Sequence, residues 1–213
     1  MKGLLVKDLR LFTQRKSFFI ILIAALFIIG TTDSSAAFLI SYFTIVLSVF
    51  VSSSVTYDEH DNCYPFLFSL PVTRKNYAQE KYLFGLLMGL AGDLFATLFA
   101  VLVSLFKKEP LSAELFEYSL TIIPFFLLFN AVTLPITLKF GVEKSRIGML
   151  AAGGIIVGLS LLITENDSDM FSNIFAFITA HKTIVSVGFF ALAVILDVLS
   201  YMLSIRIMKK KEM

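Results

Sequence analysis

Long apolar blocks set the limits on how this chain can fold. A helix needs about 20 apolar residues to cross the hydrocarbon core of a bilayer. Only 16% of the residues are charged, against roughly 25% in soluble domains. Five blocks reach or approach the spanning length and the first is shorter; in order, the blocks are 18–32, 36–56, 82–106, 119–138, 147–164 and 183–205. The sequence therefore predicts an all-α integral membrane protein with a single transmembrane domain over residues 1–213.

The distribution of basic residues decides whether the short block crosses. As a helix, 18–32 would be only about 22 Å long, so local thinning of the bilayer and snorkelling side chains would have to supply the rest. If it crosses, all but three of the 18 basic residues lie on one side; the exceptions are Lys107, Lys108 and Lys182. Cytoplasmic segments carry an excess of Lys and Arg. The asymmetry predicts six spans, with both termini in the cytoplasm.

Residues 1–17 precede the first span and have an amphipathic pattern. Leu5, Leu9 and Phe12 fall on one helical face, and basic and amide side chains fall opposite, although Asp8 interrupts the apolar arc. We expect a helix that lies in the cytoplasmic headgroup layer. The alternative is a basic leader that only fixes the orientation of the chain.

The segment 57–81 is the longest interior cytoplasmic segment in this topology. It has an acidic start, an apolar middle and a basic end. A plain connection between two helices could be far shorter, and exposed phenylalanines in water call for a partner or an interface. We expect a docking element for another protein. The alternative places the phenylalanines among lipid headgroups.

Two further patterns leave alternatives open. The segment 165–182 is an acidic turn followed by about ten mostly apolar residues, which are too few to cross. It predicts a re-entrant or interfacial helix on the outer side, or an extended start of the last span. The pairs Gly85/Gly89 and Gly154/Gly158 have the spacing of close helix packing, either within one bundle or between two copies.

Two carboxylates fall inside predicted spans, Asp93 near the midplane and Asp197 nearer the cytoplasm. Such residues usually face the protein interior or water. They are candidates for a water-filled pathway through the membrane or for a hydrogen bond between helices. The alternative is a pair of buried acids held by neighbouring hydroxyls, with Thr97 the candidate partner of Asp93, and Ser200 next to Asp197.

Enzyme motifs are missing from the sequence. It has no His-Glu-x-x-His zinc motif and no Gly-x-x-x-x-Gly-Lys-Ser/Thr nucleotide loop. His60 and His181 belong to opposite sides of the membrane in this topology, and Leu90 replaces the first glycine of an intramembrane aspartyl protease motif. Cys63 is the sole cysteine, so no intrachain disulfide can form. We expect no catalytic residue, no metal site and no nucleic-acid partner.

The segment 57–82 also carries a family resemblance. Its Tyr-Asp-Glu start, its Ser-Leu-Pro-Val-Thr-Arg-Lys run at 69–75 and its Glu-Lys-Tyr at 80–82 resemble the motif of small six-span type-2 permeases of bacterial ATP-binding-cassette exporters. The chain is similar, among them, to permeases of the staphylococcal phenol-soluble modulin exporter. The resemblance implies a type-2 exporter permease fold in the bacterial cytoplasmic membrane, and two copies paired as a homodimer. It also implies a separate ATPase partner that binds ATP and Mg²⁺, with no cofactor in this chain.

In that family the segment after the second span forms a coupling helix that contacts the ATPase. Cys63 stands where a bulky aromatic is expected, although Tyr64 is adjacent. The resemblance places the ATPase contacts at Tyr57, Asp58, Glu59, Asp61, Phe66, Leu67, Ser69, Leu70, Pro71, Arg74 and Lys75.

We expect the complex to export amphipathic or hydrophobic cargo such as peptides, since 23 phenylalanines would give a soft apolar interior. One alternative is an ATP-independent channel or secondary transporter. The other is an intramembrane hydrolase that uses Asp93 and Asp197.

Overall fold

A computed structural model shows α-helices throughout the residues it describes, which are 2–31, 36–60, 63–108, 113–166 and 181–210; side chains are not described for Phe19, Thr31, His60, 142–166 and Lys182. Seven helices follow one another along these residues. They are α1 (Lys2–Gln14), α2 (Lys16–Thr31), α3 (Ala36–His60), α4 (Cys63–Ser69), α5 (Arg74–Phe106), α6 (Glu114–Asn166) and α7 (Lys182–Lys210).

Within the described residues, four helices are long and apolar enough to cross a membrane. They cover Ala36–Glu59, Arg74–Phe106, Glu114–Gly141 and Thr183–Lys210. A fifth candidate is α1 together with α2. The two helices are long and apolar enough if they are taken as one span, and they are bent by 61° where they meet. The protein is therefore a multi-pass membrane protein. Six spans remain a prediction, because 147–164 falls in the part of α6 whose side chains are not described.

Some boundaries differ from the sequence-based expectation. The predicted connection 139–146 is helical, apart from a break at Gly141, where φ is 74° and ψ is 179°. The predicted outer segment 165–182 lies mostly outside the described residues. α5 has 33 residues and so is about 50 Å long, against roughly 30 Å for the hydrocarbon core. One end of α5 must therefore extend into water or headgroups.

Glycine allows α5 and α6 to pack closely. Gly85 faces the side-chain amide of Asn130, and a Cβ on Gly89 would lie 2.5 Å from the ring of Phe126. Both glycines and both partners are buried. These contacts support packing within one bundle for Gly85 and Gly89. The second pair, Gly154 and Gly158, lies in the part of α6 whose side chains are not described.

Helix α1 buries a different face from the one we predicted. Leu4 and Asp8 are its buried residues, while Leu9, expected on the apolar face, is 47% exposed. Leu5 and Phe12 are partly buried against the core. The helix is thus rotated so that an aspartate lies at the centre of its packed face, and its location in the headgroup layer stays a prediction.

The described phenylalanines are divided between the interior and the surface. Phe84 and Phe126 are 1% and 0% exposed in the core. Several others are on the outer surface, such as Phe27, Phe95 and Phe106, which are 60%, 49% and 87% exposed. α7 likewise exposes most of its apolar side chains. Lipid tails are as apolar as these side chains, so such surfaces are suited to a helix that faces lipid.

Candidate functional site

The segment 57–81, predicted as one loop, is helical over most of its length. The last turn of α3 contains Asp58 and Glu59, α4 spans Cys63–Ser69, and α5 begins at Arg74. The hydroxyl of Thr73 accepts a hydrogen bond from the backbone N–H of Asn76 at 3.2 Å, which caps the start of α5. The true connections are therefore short, and α4 is held between two long helices.

The two faces of α4 differ in exposure. Tyr64 and Leu67 are buried on its inner face. Phe66 is 71% exposed and Leu70, just after the helix, is 47% exposed. The hydroxyl of Ser69 donates to the carbonyl of Phe66 at 2.7 Å, which stabilises the end of this short helix. Together with Pro71 and Lys75, which are also exposed, Phe66, Ser69 and Leu70 form a surface that we call the outer face.

Three aromatic rings hold the inner face of α4 against α5. The ring of Tyr64 lies 5.7 Å from that of Tyr77 in an edge-to-face arrangement, and the ring of Phe68 lies 6.1 Å from both. Such pairs contribute about 0.5–1.5 kcal/mol beyond the area they bury. Burial raises the pKa of Tyr64 to about 12, so its hydroxyl stays protonated at physiological pH. The packing fixes which way Phe66 points.

Behind α4 lies a group of five charged residues from three helices, Lys7, Asp8, Asp58, Glu80 and Lys81, which we call the charge cluster. Glu80 is a neighbour of Lys81 on α5, with its Oε2 3.7 Å from Lys81 Nζ. Lys81 pairs with Asp8 and Lys7 pairs with Asp58. The cross pairs are also close, at 3.1 Å for Lys81 Nζ to Asp58 Oδ2 and 2.9 Å for Lys7 Nζ to Asp8 Oδ1. Ser54 accepts from Lys81 at 2.9 Å and donates to Asp8 at 3.2 Å. α1, α3 and α5 therefore meet through paired charges.

All members of the charge cluster except Lys7, whose side chain is 32% exposed, are deeply buried. Asp8 and Lys81 are 0% exposed, and Asp58 is 3% exposed. The Tyr77 hydroxyl donates to Asp58 at 2.9 Å. Burial alone would raise the pKa of Asp8, but the ammonium groups of Lys81 and Lys7 hold it below its usual value. Removal of one partner from such a pair leaves an uncompensated buried charge, which costs about 3–5 kcal/mol.

Glu59 lies against the break in α6. The left-handed backbone at Gly141 belongs to a region that is essentially restricted to glycine. A Cβ at this position would lie 2.8 Å from Oε2 of Glu59. The carboxylate of Glu59 therefore contacts the backbone where α6 breaks, and only a glycine leaves room for it.

Arg74 contacts the end of the last helix. Its guanidinium donates to the carbonyl of Lys209 at 2.9 Å and to that of Met208 at 3.4 Å. Those carbonyls lie in the last turn of α7, where the helix dipole favours a cation and the terminal carbonyls lack helical partners. Arg74 therefore ties the start of α5 to the end of α7.

The residues predicted for ATPase contact thus fall into two sets. Asp58, Glu59, Leu67 and Arg74 contact other parts of the same chain. The guanidinium of Arg15 lies 4.4 Å from the ring centre of half-buried Tyr57, and Asp61 lies outside the described residues. The exposed remainder of the set is the outer face: Phe66, Ser69, Leu70, Pro71 and Lys75.

The structure does not bring the two intramembrane aspartates together. Asp197 lines a groove of about 250 Å³ with Tyr82 and Leu86 of α5. Asp93 lies two helical turns beyond Leu86, about 10 Å further along α5, and accepts a hydrogen bond from Ser119 at 2.7 Å. This bond joins α5 to α6, as the interhelical alternative predicts, and the partner of Asp93 is Ser119 rather than Thr97.

Ser200 is used elsewhere as well. Its hydroxyl lies 2.6 Å from that of Tyr82 and donates to the carbonyl of Ala131. The Ser200 hydroxyl therefore links α5, α6 and α7, and these hydrogen bonds do not involve the carboxylate of Asp197. Among the described residues, no group of three or more His, Cys, Asp or Glu side chains is placed to hold a metal ion.

Sequence patterns alone do not reveal the charge cluster as a unit. By sequence, Lys81 is one of many basic residues on the cytoplasmic side, and Asp8 is an interruption of the apolar face of α1. A sequence can indicate such a residue only by a charge at a helical position where the 3.6-residue period predicts an apolar side chain. This pattern indicates that each residue is unusual by itself. It does not predict that Asp8 and Lys81, which are far apart in sequence, pair with each other.

The family model for ABC-2 family transporter proteins matches residues 3–209. The chain belongs to this family. As an ABC-2 permease, it is the membrane-spanning subunit of an ATP-binding-cassette transporter, and membership implies a partner that carries the ATP-binding cassette. No curated protein and no solved structure matches the chain. The nearer resemblance to the phenol-soluble modulin exporter is therefore not confirmed.

Proposed function

We propose that this ABC-2 permease exports its cargo with energy from a separate ATPase, and that the outer face of α4 is the surface on which the ATPase docks. The observation that carries the proposal is the exposure of Phe66 on α4 and of Leu70 just after it, while aromatic packing fixes the opposite face of the helix. The partner would hold ATP and Mg²⁺. Two copies of the permease would form the membrane half, with six spans each and both termini in the cytoplasm.

The position of α4 in the chain supports this role. α4 lies at the end of α5 that begins at Arg74, and α5 is longer than the hydrocarbon core is thick. Exposed phenylalanine in water is unfavourable unless a partner covers it. Full burial of a phenylalanine or leucine side chain contributes about 1.5–3 kcal/mol. The outer face therefore offers two apolar anchors at a place that a cytoplasmic subunit could reach.

The inward-facing residues of the segment would transmit the motion of α4. Asp58 connects the last turn of α3 to the charge cluster, and adjacent Glu59 connects the same turn to Gly141 in α6. Arg74 reaches the end of α7. A rigid displacement of α4 would thus act on α1, α5, α6 and α7 together. We accordingly propose that these charged residues couple helices to one another rather than contact the ATPase directly.

The cargo proposal rests on the family resemblance alone. We propose amphipathic or hydrophobic cargo, peptides included. The phenylalanines do not identify the cargo, because they occur both in the core and on the outer surface.

The direct test is co-purification of the ATPase with tagged permease carrying Phe66→Ala and Leu70→Ala. The loss of two buried anchors should weaken docking by at least about a hundredfold, and ATP-dependent transport in reconstituted vesicles should fall with it. The matched control is Leu105→Ala with Phe106→Ala, which removes the same two residue types from exposed positions at the other end of α5. The control should keep the ATPase.

Retention of the ATPase and of transport by the Phe66/Leu70 variant would refute the docking role. It would favour the alternative in which these side chains lie among lipid headgroups. Cargo flux without ATP or partner would instead support a channel or secondary transporter. The hydrolase alternative gains nothing from the structure, because Asp93 and Asp197 lie apart.

A further inference from the structure

A cleft of about 640 Å³ opens at the 61° bend between α1 and α2, beside α3. Its lining changes in character from one end to the other. This cleft is separate from the outer face of α4 and from the charge cluster, and the function proposed above does not use it.

One end of the cleft is polar and basic. Arg15 and Lys16 lie at the bend, and Ser53 and Tyr57 approach from α3. The guanidinium of Arg15 is held 4.4 Å from the ring centre of Tyr57, so one cation is already positioned. No carboxylate is among the residues that line the cleft. The chemistry of this end favours an anion.

The other end of the cleft is apolar. Ile21 of α2 and Val46 and Val49 of α3 line it, and the first and last of these are 69% and 42% exposed. Along α3 the lining changes from Tyr57 to Val46 over about 16 Å. Along α2 it changes in the same direction, from Lys16 to Ile21. The cleft therefore has a polar mouth, charged on the side of the α1–α2 bend, that leads into an apolar trough.

The shortness of α2 also suits a bound lipid. α2 has 16 residues and is about 24 Å long, less than the hydrocarbon core. A helix that is too short draws the headgroup region toward its ends or thins the bilayer there. Basic side chains at the end of such a helix therefore lie at the same depth in the membrane as the phosphate groups of the lipids.

We propose that this cleft is a binding site for one anionic phospholipid from the leaflet that borders the α1–α2 bend. The phosphate would contact Arg15 and Lys16, and an acyl chain would lie along Val49 and Val46. The apolar trough distinguishes a lipid from free phosphate, which could use only the polar mouth. The site depends on the membrane location of the chain and not on the docking role of α4.

The test is native mass spectrometry of the full chain in detergent, titrated with phosphatidylglycerol, with phosphatidylcholine or with inorganic phosphate alone. One bound phosphatidylglycerol per chain is expected, with much weaker binding of phosphatidylcholine and none of phosphate. Arg15→Gln with Lys16→Gln should weaken phosphatidylglycerol binding by at least about tenfold. Val49→Phe, which fills the trough without a change in charge, should weaken it too.

The matched control is Lys209→Gln with Lys210→Gln, which removes two exposed charges away from the cleft and should bind like the parent. Thermal unfolding of each variant without added lipid shows whether the fold is kept. Equal binding of phosphatidylcholine, or normal binding by Val49→Phe, would overturn the proposal. So would an equal loss in the Lys209/Lys210 control, since binding would then depend on total charge alone.

Discussion

The two sides of α4 differ from the usual arrangement in a protein, in which apolar side chains are buried and charged side chains are exposed. On the outer side, an apolar phenylalanine and leucine are exposed. On the inner side, Asp8, Asp58 and Lys81 are almost completely buried. Fully buried charges are rare unless they are paired, and these are paired. In this segment the charged residues therefore make contacts within the chain, and the exposed apolar side chains remain available to a partner.

The energetic consequences of the two sides also differ. Loss of an exposed apolar side chain changes little within the chain, because few contacts are removed. Loss of one member of a buried ion pair leaves its partner in a medium that solvates it poorly. Variants on the two sides should therefore separate stability from partner binding.

The largest effect is expected in the charge cluster. Lys81→Met should destabilise the protein by about 3–5 kcal/mol, because it leaves three buried carboxylates with only Lys7 beside them; they are Asp8, Asp58 and Glu80. Asp8→Leu should cost a similar amount. The double variant keeps the Lys7–Asp58 pair and removes Asp8 and Lys81 together, so it should recover part of the loss, while Glu80 stays buried without its neighbour Lys81.

The measurement is thermal unfolding in detergent, followed by size exclusion of a fluorescent fusion, since the chain has no tryptophan. Phe66→Ala with Leu70→Ala serves as the comparison and should unfold close to the parent temperature. If the two single charge variants were additive in the double variant, Asp8 and Lys81 would not act as a pair.

A smaller effect is expected at the break in α6. Gly141→Ala should destabilise by about 1–3 kcal/mol, because a β-carbon is disfavoured at φ 74° and would lie 2.8 Å from Oε2 of Glu59. Gly188→Ala is the control, since a Cβ at this position would have no atom within 4 Å and alanine favours a helix. The same unfolding assay compares them, and equal stability of the two variants would show that the break does not require glycine.

The sequence is informative where a local pattern suffices. Apolar blocks predict α3, α5 and the last helix, since a spanning helix is defined by its own length and hydropathy. The family resemblance implies a coupling helix in the segment 57–81, and α4 lies within it. The family resemblance, carried by the same short segment, agrees with the family model that matches residues 3–209.

The sequence is less informative where position depends on distant partners. The charges of Asp58 and Arg74 suit a docking surface and so predict an outward orientation, but their orientation is set by Lys81 on α5 and by the end of α7. The sequence suggests no partner for Asp8, although it pairs with a lysine far along the chain. Hydrophobic periodicity describes one helix at a time and cannot specify such pairs.

The most direct test of the central claim is site-specific photo-crosslinking in cells that express the permease together with its ATPase. A photoreactive amino acid placed at position 66 should form a crosslink to the ATPase, and the same probe at position 106, also exposed but at the other end of α5, should not. A probe at buried position 58 should also give none in a protein that remains folded. A crosslink from position 106 or 58, with none from position 66, would contradict the account.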